Sequence, residues 1–200
     1  MEAKLHAQLG NFRLTAEIQG GGAICVAGKN GAGKTTLVKA IAGILGLEDG
    51  YVKIGGVDVT RLSLEKKRVV LVTPDSAFLH MDVESHLRWG ARIRGRNLKA
   101  AEIERVKSEL GIDFGGKVRT LSLGMRERVS LGSALLASPR AILVDDVFSN
   151  LHDKEGFILR YRRLAEESGI DLLFTSQDED EGKLAEHLYV MNNGTSARVV

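Results

Sequence analysis

The chain is short of cysteine, of charge bias and of long apolar runs, and each shortage removes a class of function. The single cysteine, Cys25, leaves no intrachain disulfide and no cysteine-based zinc cluster. It sits in an apolar run, so it reads as a small packed hydrophobe, and a reducing compartment is expected. Lysine and arginine number 28 against 26 acidic residues, a formal charge of +2. The two signs are interspersed, so the concentrated basic surface of a dedicated nucleic-acid binder is missing and no nucleic-acid partner is expected. The longest apolar runs, Ile41 to Leu47 and Leu131 to Ala137, fall far below the roughly 20 residues that span a bilayer. No secretory signal is visible in the opening residues, so a membrane role is expected only through a partner. Internal repeats, low-complexity tracts and heptads are missing too. The length of 200 residues still suffices for a substantial core, as one domain or as a core with an inserted lobe.

What is present concentrates in Gly28-Lys29-Asn30-Gly31-Ala32-Gly33-Lys34-Thr35-Thr36. This stretch fits G-x-x-x-x-G-K-[ST], the phosphate-binding loop that joins a buried strand to a helix. Ala23 to Ala27 read as that strand, and Lys34 to Ile44 as the helix, with Leu37, Val38, Ile41 and Leu45 at helical spacing. A chance match in a glycine-rich chain is the competing reading, and the strand before and helix after argue against it. Gly28, Gly31 and Gly33 let successive N–H groups turn inward where side chains would block phosphates. The helix N-terminus adds partial positive charge. Lys34, its side chain facing a solvent-filled site, can reach the β- and γ-phosphates, and the Thr35 hydroxyl can ligate Mg²⁺.

Around the loop, Leu5, Ala7 and Leu9 and then Phe12, Leu14, Ala16 and Ile18 alternate about Gly10-Asn11, the pattern of an antiparallel hairpin. Gly20-Gly21-Gly22 is a turn into the loop strand. Tyr51 to Ile54, the short segment Val57 to Val59 and the buried run Val69 to Val72 follow as strands. From Asp82 to Ala137 the pattern is helical, with one helix through Val83 and Leu87, one through Ile103, Val106 and Leu110, and one within Leu121 to Leu136. Strands return at Ala141 to Val144 and Leu172 to Phe174, with a helix around Phe157 to Ala165 between them. His187 to Met191, a turn at Asn192-Asn193-Gly194 and a terminal strand close the chain. The order reads as an α/β fold, with a mostly parallel core, an N-terminal antiparallel β part and an inserted helical lobe. Within a single domain, 1–200, residues 1–74 and 138–200 form the core with its β part and residues 75–137 the helical subdomain. Arg88, Arg92, Arg94 and Arg96 cluster at the end of the first lobe helix, as a solvated face or as a contact for an acidic partner surface.

A phosphate loop needs a second group for its metal. Ile142-Leu143-Val144-Asp145 is an apolar strand ending in a carboxylate, where strand ends meet the ligand crevice. Asp145 would hold Mg²⁺ with Thr35. Asp146 follows it, placed to orient water or act as a general base. A plain turn after a strand often carries aspartate as well, and the upstream phosphate loop favours the metal reading.

Upstream of that strand stands Leu121-Ser122-Leu123-Gly124-Met125-Arg126-Glu127-Arg128-Val129. Here the chain resembles an ATP-binding cassette (ABC) ATPase, whose signature LSGGQ is followed by a basic residue and then Q-R-V. Leu121, Ser122, Gly124, Arg126, Arg128 and Val129 match. The resemblance runs over nearly the whole chain in the family's order of loop, helical lobe, signature, metal strand and terminal strands. Ser149-Asn150-Leu151 resembles the start of the D-loop, and Phe174 to Asp178 stands where the family has a strand ending in T/S-H-D. Tyr189 to Gly194 resembles the closing hairpin. The opening Leu9 to Leu14 is similar to molybdate/tungstate-type importer ATPases, too short a stretch to carry a substrate.

The resemblance implies a P-loop NTPase (RecA-like) core and an ATP-hydrolysing transporter subunit with ATP and Mg²⁺ as its ligands. Gly28 to Thr36 would hold the nucleotide, and Phe12 would stack on adenine, or else serve only as a hydrophobic strand residue. Ser122 and Gly124 would face the γ-phosphate bound by a second ABC subunit, in a homodimer or heterodimer closed by ATP. The helical lobe would grip transmembrane permease subunits. The implied location is cytoplasmic, peripheral at the inner face of the cell membrane through those partners. The chain ends soon after its last strand, so no C-terminal regulatory domain of the importer type is expected.

Departures from the family pattern gather where water is positioned. Pro74 replaces the usual Gln, Asp146 the catalytic Glu, His152 the D-loop Asp and Gln177 the switch His, which leaves Asp146 and Gln177 as the catalytic candidates. Leu123 and Met125 alter the signature, and Ser133 replaces a frequent Arg. A carboxylate one methylene shorter retreats by about 1 Å, a displacement that can cost roughly 10²-fold in rate. Secure ATP binding with slow or partner-dependent turnover is therefore expected.

Two other classes compete, a non-transport cassette that uses ATP to switch an interaction and a nucleotide-binding regulator without hydrolysis. Asp75 to Thr120 is too short, and too free of heptads, for the coiled-coil arms of repair cassettes. Translation-type proteins usually carry two cassettes where this chain has one. A GTPase or small-molecule kinase lacks support because no N-K-x-D base-reading motif occurs.

Overall fold

The computed structural model describes residues 1–199. The chain opens as the expected hairpin, β1 (Glu2–Leu9) and β2 (Phe12–Gln19), paired with Leu5 opposite Ala16. Ala3, Leu5, Ala7, Leu14, Ala16 and Ile18 turn to the core and their neighbours outward, as a period of two requires. β3 (Ala23–Ala27) is buried throughout. The helix after the loop, α1 (Lys34–Ala42), stops short of Ile44. Gly43 takes a left-handed φ of 82° and its N–H turns back to the carbonyls of Lys39 and Ala40, a glycine cap that ends the helix.

β4 (Asp49–Ile54) lies on the far side of β1 and carries β5 (Val57–Asp58). A four-residue helix, α2 (Leu64–Lys67), which the apolar pattern does not show, leads into β6 (Val69–Val72). The expectation that β6 is buried holds only for Val72. Val69, Val70 and Leu71 are half-buried, because β6 ends the sheet and has one neighbour, β7, among the described strands. The helices α3 (Val83–Ile93), α4 (Ala100–Leu110) and α5 (Leu123–Leu136) then fill the interval before β7 (Ala141–Val144). After α6 (Lys154–Glu167) come β8 (Asp171–Ser176), β9 (His187–Asn192) and β10 (Thr195–Arg198).

The strands form one sheet in the order β5-β4-β1-β2-β10-β9-β3-β8-β7-β6. The run β9-β3-β8-β7-β6 is wholly parallel. The antiparallel part is continuous with it, because β10 pairs antiparallel with β9 and in parallel with β2 at Thr195 and Thr15. Both faces of the parallel run are covered. Ile24, Val26, Leu143 and Leu173 pack on the side of α1 and the hairpin. Cys25, Ile142, Val144, Leu172 and Phe174 pack on the side of α5 and α6, in an apolar cluster that also takes in α3 and α4. Cys25 is fully buried and burial pushes its thiol up to about 12, the behaviour of an inert packed side chain.

Candidate functional site

Strand register sets where the site lies. Ala27 of β3 is opposite Ser176 of β8, and Phe174 of β8 is opposite Val144 of β7, itself opposite Val72 of β6. The segments beginning at Gly28, Thr73, Asp145 and Gln177 therefore leave the sheet along one edge, the carboxyl ends of parallel strands, where ligands of open α/β sheets bind.

The loop is built of close approaches that only glycine permits. A Cβ on Gly28 would lie 2.6 Å from the Met191 carbonyl oxygen, and one on Gly33 would lie 2.6 Å from the Phe12 ring. Gly31, at φ 81°, has open space where its Cβ would be. The N–H of Gly28 donates to the Ser176 carbonyl at 3.1 Å, and the N–H of Gly194 donates to the Ala32 carbonyl at 2.9 Å. The closing hairpin and the switch strand thus buttress the loop from both sides. The Phe12 ring lies against the loop at Gly33 and against Gly194. Lys29, Asn30 and Thr35 are exposed and Thr36 half-buried.

Lys34 departs from the expectation of a side chain facing solvent. It is only 8% exposed, and its Nζ donates to the carbonyls of Gly28 at 2.6 Å and Lys29 at 3.2 Å. A buried ammonium needs acceptors, and the loop carbonyls serve. The cradle fits a phosphate, since its glycine at the mouth leaves space, its ammonium is already positioned and a helix N-terminus stands behind it.

On the next strand but one, Asp145 is 7% exposed. Its N–H donates to the Val72 carbonyl at 2.8 Å. Its Oδ1 accepts from the Thr175 hydroxyl at 3.2 Å. Asp146 is half-buried with φ 57°, a left-handed conformation that aspartate tolerates better than most residues. Its N–H donates to Thr175 Oγ1 at 2.9 Å, and its carbonyl accepts from Ser149 Oγ at 3.0 Å. Among the described residues no group of three or more His, Cys, Asp or Glu side chains could hold a metal. A cation beside Asp145 would take its remaining ligands from a hydroxyl, phosphate and water, the habit of Mg²⁺. Gln177 is exposed just past β8. The turn that carries it is held by Ser176, whose Oγ donates to buried Glu181 at 2.9 Å and accepts from the Asp178 N–H at 2.9 Å. Glu181 also pairs with Lys154 of α6.

Ser122 caps α5, its Oγ accepting from the Met125 N–H at 3.4 Å, and both Ser122 and Leu123 are exposed. A Cβ on Gly124 would meet the Asn150 carbonyl at 3.2 Å and Leu151 at 3.8 Å. The start of α5 therefore rests on the segment that follows Asp146, and its outer surface is open.

Two residues in this region escaped the sequence reading. Thr175 was hidden in an apolar strand, where only the adjacent hydroxyls Thr175-Ser176 signal a polar role. Glu127, within the signature stretch, is 1% exposed. Its Oε1 accepts from Asn150 Nδ2 at 2.9 Å, while Oε2 is buried without a partner among the described residues. Burial above all, and then the charge of Asp146, hold its carboxyl above the usual range against the lowering effect of Asn150. Glu127→Gln keeps an acceptor for Asn150 and removes the buried charge. Because the folded-state pKa is the higher one, the charge destabilises the fold only above the unfolded carboxylate pKa. Urea denaturation should show no gain for the variant below about pH 4, a gain that grows as pH rises through the folded pKa, and a plateau beyond it. A pH-independent difference would show that Glu127 does not titrate as its burial implies.

The arginine cluster divides. Arg88 pairs with Glu84 at 2.7 Å and Arg96 with Glu102, while Arg92 is exposed and the buried Nη1 of Arg94 has no partner among the described residues. Arg94 borders a cleft of about 1060 Å³ between β6 and α3, lined by Leu71, Phe78, His86, Trp89 and Ile93. The cleft adjoins Asp75 and Ser76, immediately after Pro74.

A strand, glycine loop and helix at the carboxyl edge of a parallel sheet define a P-loop NTPase fold. The chain belongs to the ABC transporter family, whose model matches residues 12–149. It is 36% identical over 203 residues to the sulfate/thiosulfate import ATP-binding protein of Nocardia farcinica, covering 95% of this chain and 61% of that protein. It is 32% identical to the molybdate/tungstate import ATP-binding protein of Archaeoglobus fulgidus, covering 97% of this chain and 84% of that one. The chain thus spans less than two thirds of the Nocardia protein. A solved structure described as the ATP-binding subunit of an ABC transporter superposes with a TM-score of 0.82 at 20% identity, covering all of this chain and 89% of that chain. The expected fold class and family resemblance both hold. ABC ATPases generally bind and hydrolyse ATP and require Mg²⁺. No helix among the described residues is long and apolar enough to cross a membrane.

Proposed function

We propose that this chain is the ATP-binding and hydrolysing subunit of an ABC importer, paired with a second ABC subunit and driving transmembrane permease subunits. The observation that carries this reading is the shared edge of β3, β8 and β7, which presents the glycine loop, Gln177 and the Asp145–Asp146 pair together. Gly28 to Thr36 bind the phosphates, which the Lys34 ammonium reaches from its place against the loop carbonyls, and Phe12 packs against the adenine. Thr35 and Asp145 hold Mg²⁺, which offsets phosphate charge. Asp146 orients the attacking water and Gln177 senses the γ-phosphate by its amide. Residues 1–74 and 138–200 act as the core and residues 75–137 as the helical subdomain. The permease seats in the cleft beside Pro74, where Phe78, Trp89 and Ile93 are exposed apolar side chains. Relatives named for the import of sulfate, thiosulfate, molybdate and tungstate support the transport assignment. Attachment through the permease places the chain at the inner face of the membrane.

Ser122 and Gly124 close over the ATP of the partner subunit, so neither subunit alone completes a site. Gly124→Asp sets a carboxylate toward that γ-phosphate. ATP-dependent dimerisation, followed by light scattering in a hydrolysis-blocked background, should vanish while nucleotide binding by the monomer persists. The Asn150 carbonyl 3.2 Å from the new Cβ makes thermal unfolding a necessary control. Isolation of the native protein from detergent-solubilised membranes should bring a stoichiometric multi-span partner. A soluble or ribosomal partner instead would overturn the transport reading, and a parent chain that stays monomeric with ATP would count against a homodimer and point to a different partner chain.

A further inference from the structure

We infer that Thr175 is a positioning residue that ties Asp145 and Asp146 into one unit, so that its hydroxyl governs how the site holds its divalent cation. This rests on the nucleotide-site reading above.

A threonine hydroxyl has one proton to give and two lone pairs to receive. Thr175 is 4% exposed at the end of β8. Its proton goes to Asp145 Oδ1 at 3.2 Å and a lone pair takes the Asp146 N–H at 2.9 Å. One side chain on β8 thus holds two consecutive residues that leave β7. A buried threonine that merely satisfied itself would find a nearby carbonyl, whereas here both bonds converge on the carboxylate residues. The consequences are specific. The bond to Oδ1 fixes the plane of the Asp145 carboxylate and leaves Oδ2 for a cation. The bond to the Asp146 N–H, with Ser149 Oγ on the Asp146 carbonyl at 3.0 Å, pins the backbone at its φ of 57°. The angle at which the Asp146 side chain enters the site follows from that. Hydrogen-bond partners of metal ligands orient them, and losing such a partner typically costs about 10–100-fold in metal affinity.

Valine has nearly the volume of threonine and lacks both bonds, while serine keeps them. The full chain is titrated with Mn²⁺ in the presence of a non-hydrolysable ATP analogue, free Mn²⁺ being read by electron paramagnetic resonance. Thr175→Val should raise half-saturating Mn²⁺ about ten-fold, whereas Thr175→Ser should stay within about three-fold of the parent. Affinity for the analogue in EDTA should change less than about two-fold in both, because phosphate binding belongs to the loop. Amide exchange at Asp146, followed by nuclear magnetic resonance, should quicken at least about ten-fold in the valine variant only. Should the valine variant not fold, Thr175→Ala carries the same comparison against serine. Equal Mn²⁺ affinity in parent and valine variant, or equal losses in valine and serine variants, would overturn the inference. A parent that binds the analogue in neither condition overturns the nucleotide-site reading first, and this inference with it. A parent that binds both ligands while the valine variant is indifferent overturns this inference alone.

Discussion

Lys34→Ala is expected to weaken Mg·ATP binding by about 100-fold or more. Two charge-assisted bonds to phosphate oxygens contribute about 1.5–3 kcal/mol each, and every 1.4 kcal/mol or so is ten-fold in affinity. The structure adds a second effect. The Lys34 ammonium donates to the carbonyls of Gly28 and Lys29 at 2.6 and 3.2 Å. It therefore braces the loop with two of its three N–H donors. The alanine variant should still fold, but with a stability loss of about 1–2 kcal/mol, since two hydrogen bonds of roughly 1 kcal/mol net each are lost. Calorimetric titration and urea denaturation of the same preparation separate the two effects. Undiminished ATP affinity would remove the loop from the binding site.

The second large effect is expected at Asp146 and Gln177. The parent should hydrolyse ATP well below the median enzyme rate of about 10 s⁻¹. Asp146 is a methylene shorter than the family's glutamate, Gln177 has no charge and no titratable proton, and Pro74 has no side-chain amide. Asp146→Glu with Gln177→His should raise turnover more than the product of the single changes, because both act on one water. The backbone tempers the glutamate change taken alone. Asp146 sits at φ 57°, a region that aspartate enters more readily than glutamate, so part of the gain is offset by strain of up to about 1 kcal/mol. Single-turnover measurement with radiolabelled ATP decides the matter. Brisk hydrolysis by the parent, or no gain in the double variant, would show that another residue positions the water.

The candidate site is legible in sequence where a local pattern carries it. The loop needs glycines, a lysine and a hydroxyl at set spacing between a strand and a helix, and all of these lie within a dozen residues of each other. Asp145 is a candidate for the same reason, as the carboxylate that follows an apolar strand. Glu127 and Thr175 are not legible in this way. Each looks ordinary among its sequence neighbours and acquires its role from a partner far along the chain, Asn150 in one case and the Asp145–Asp146 pair in the other.

Apolar patterning by itself determined the hairpin of β1 and β2, the buried strand β3 and the helices α3 and α4, because burial imposes a pattern on side chains close in sequence, whereas the loop and signature motifs carried the family resemblance. Tertiary structure alone decided that one sheet unites the parallel and antiparallel strands, through the pairing of β10 with β2 at Thr195 and Thr15. It decided that β6 is a half-buried edge, since only the strand order says who lies beside it. It also turned Lys34 inward, because a buried ammonium takes whatever acceptors surround it, and the folded loop places its own carbonyls there.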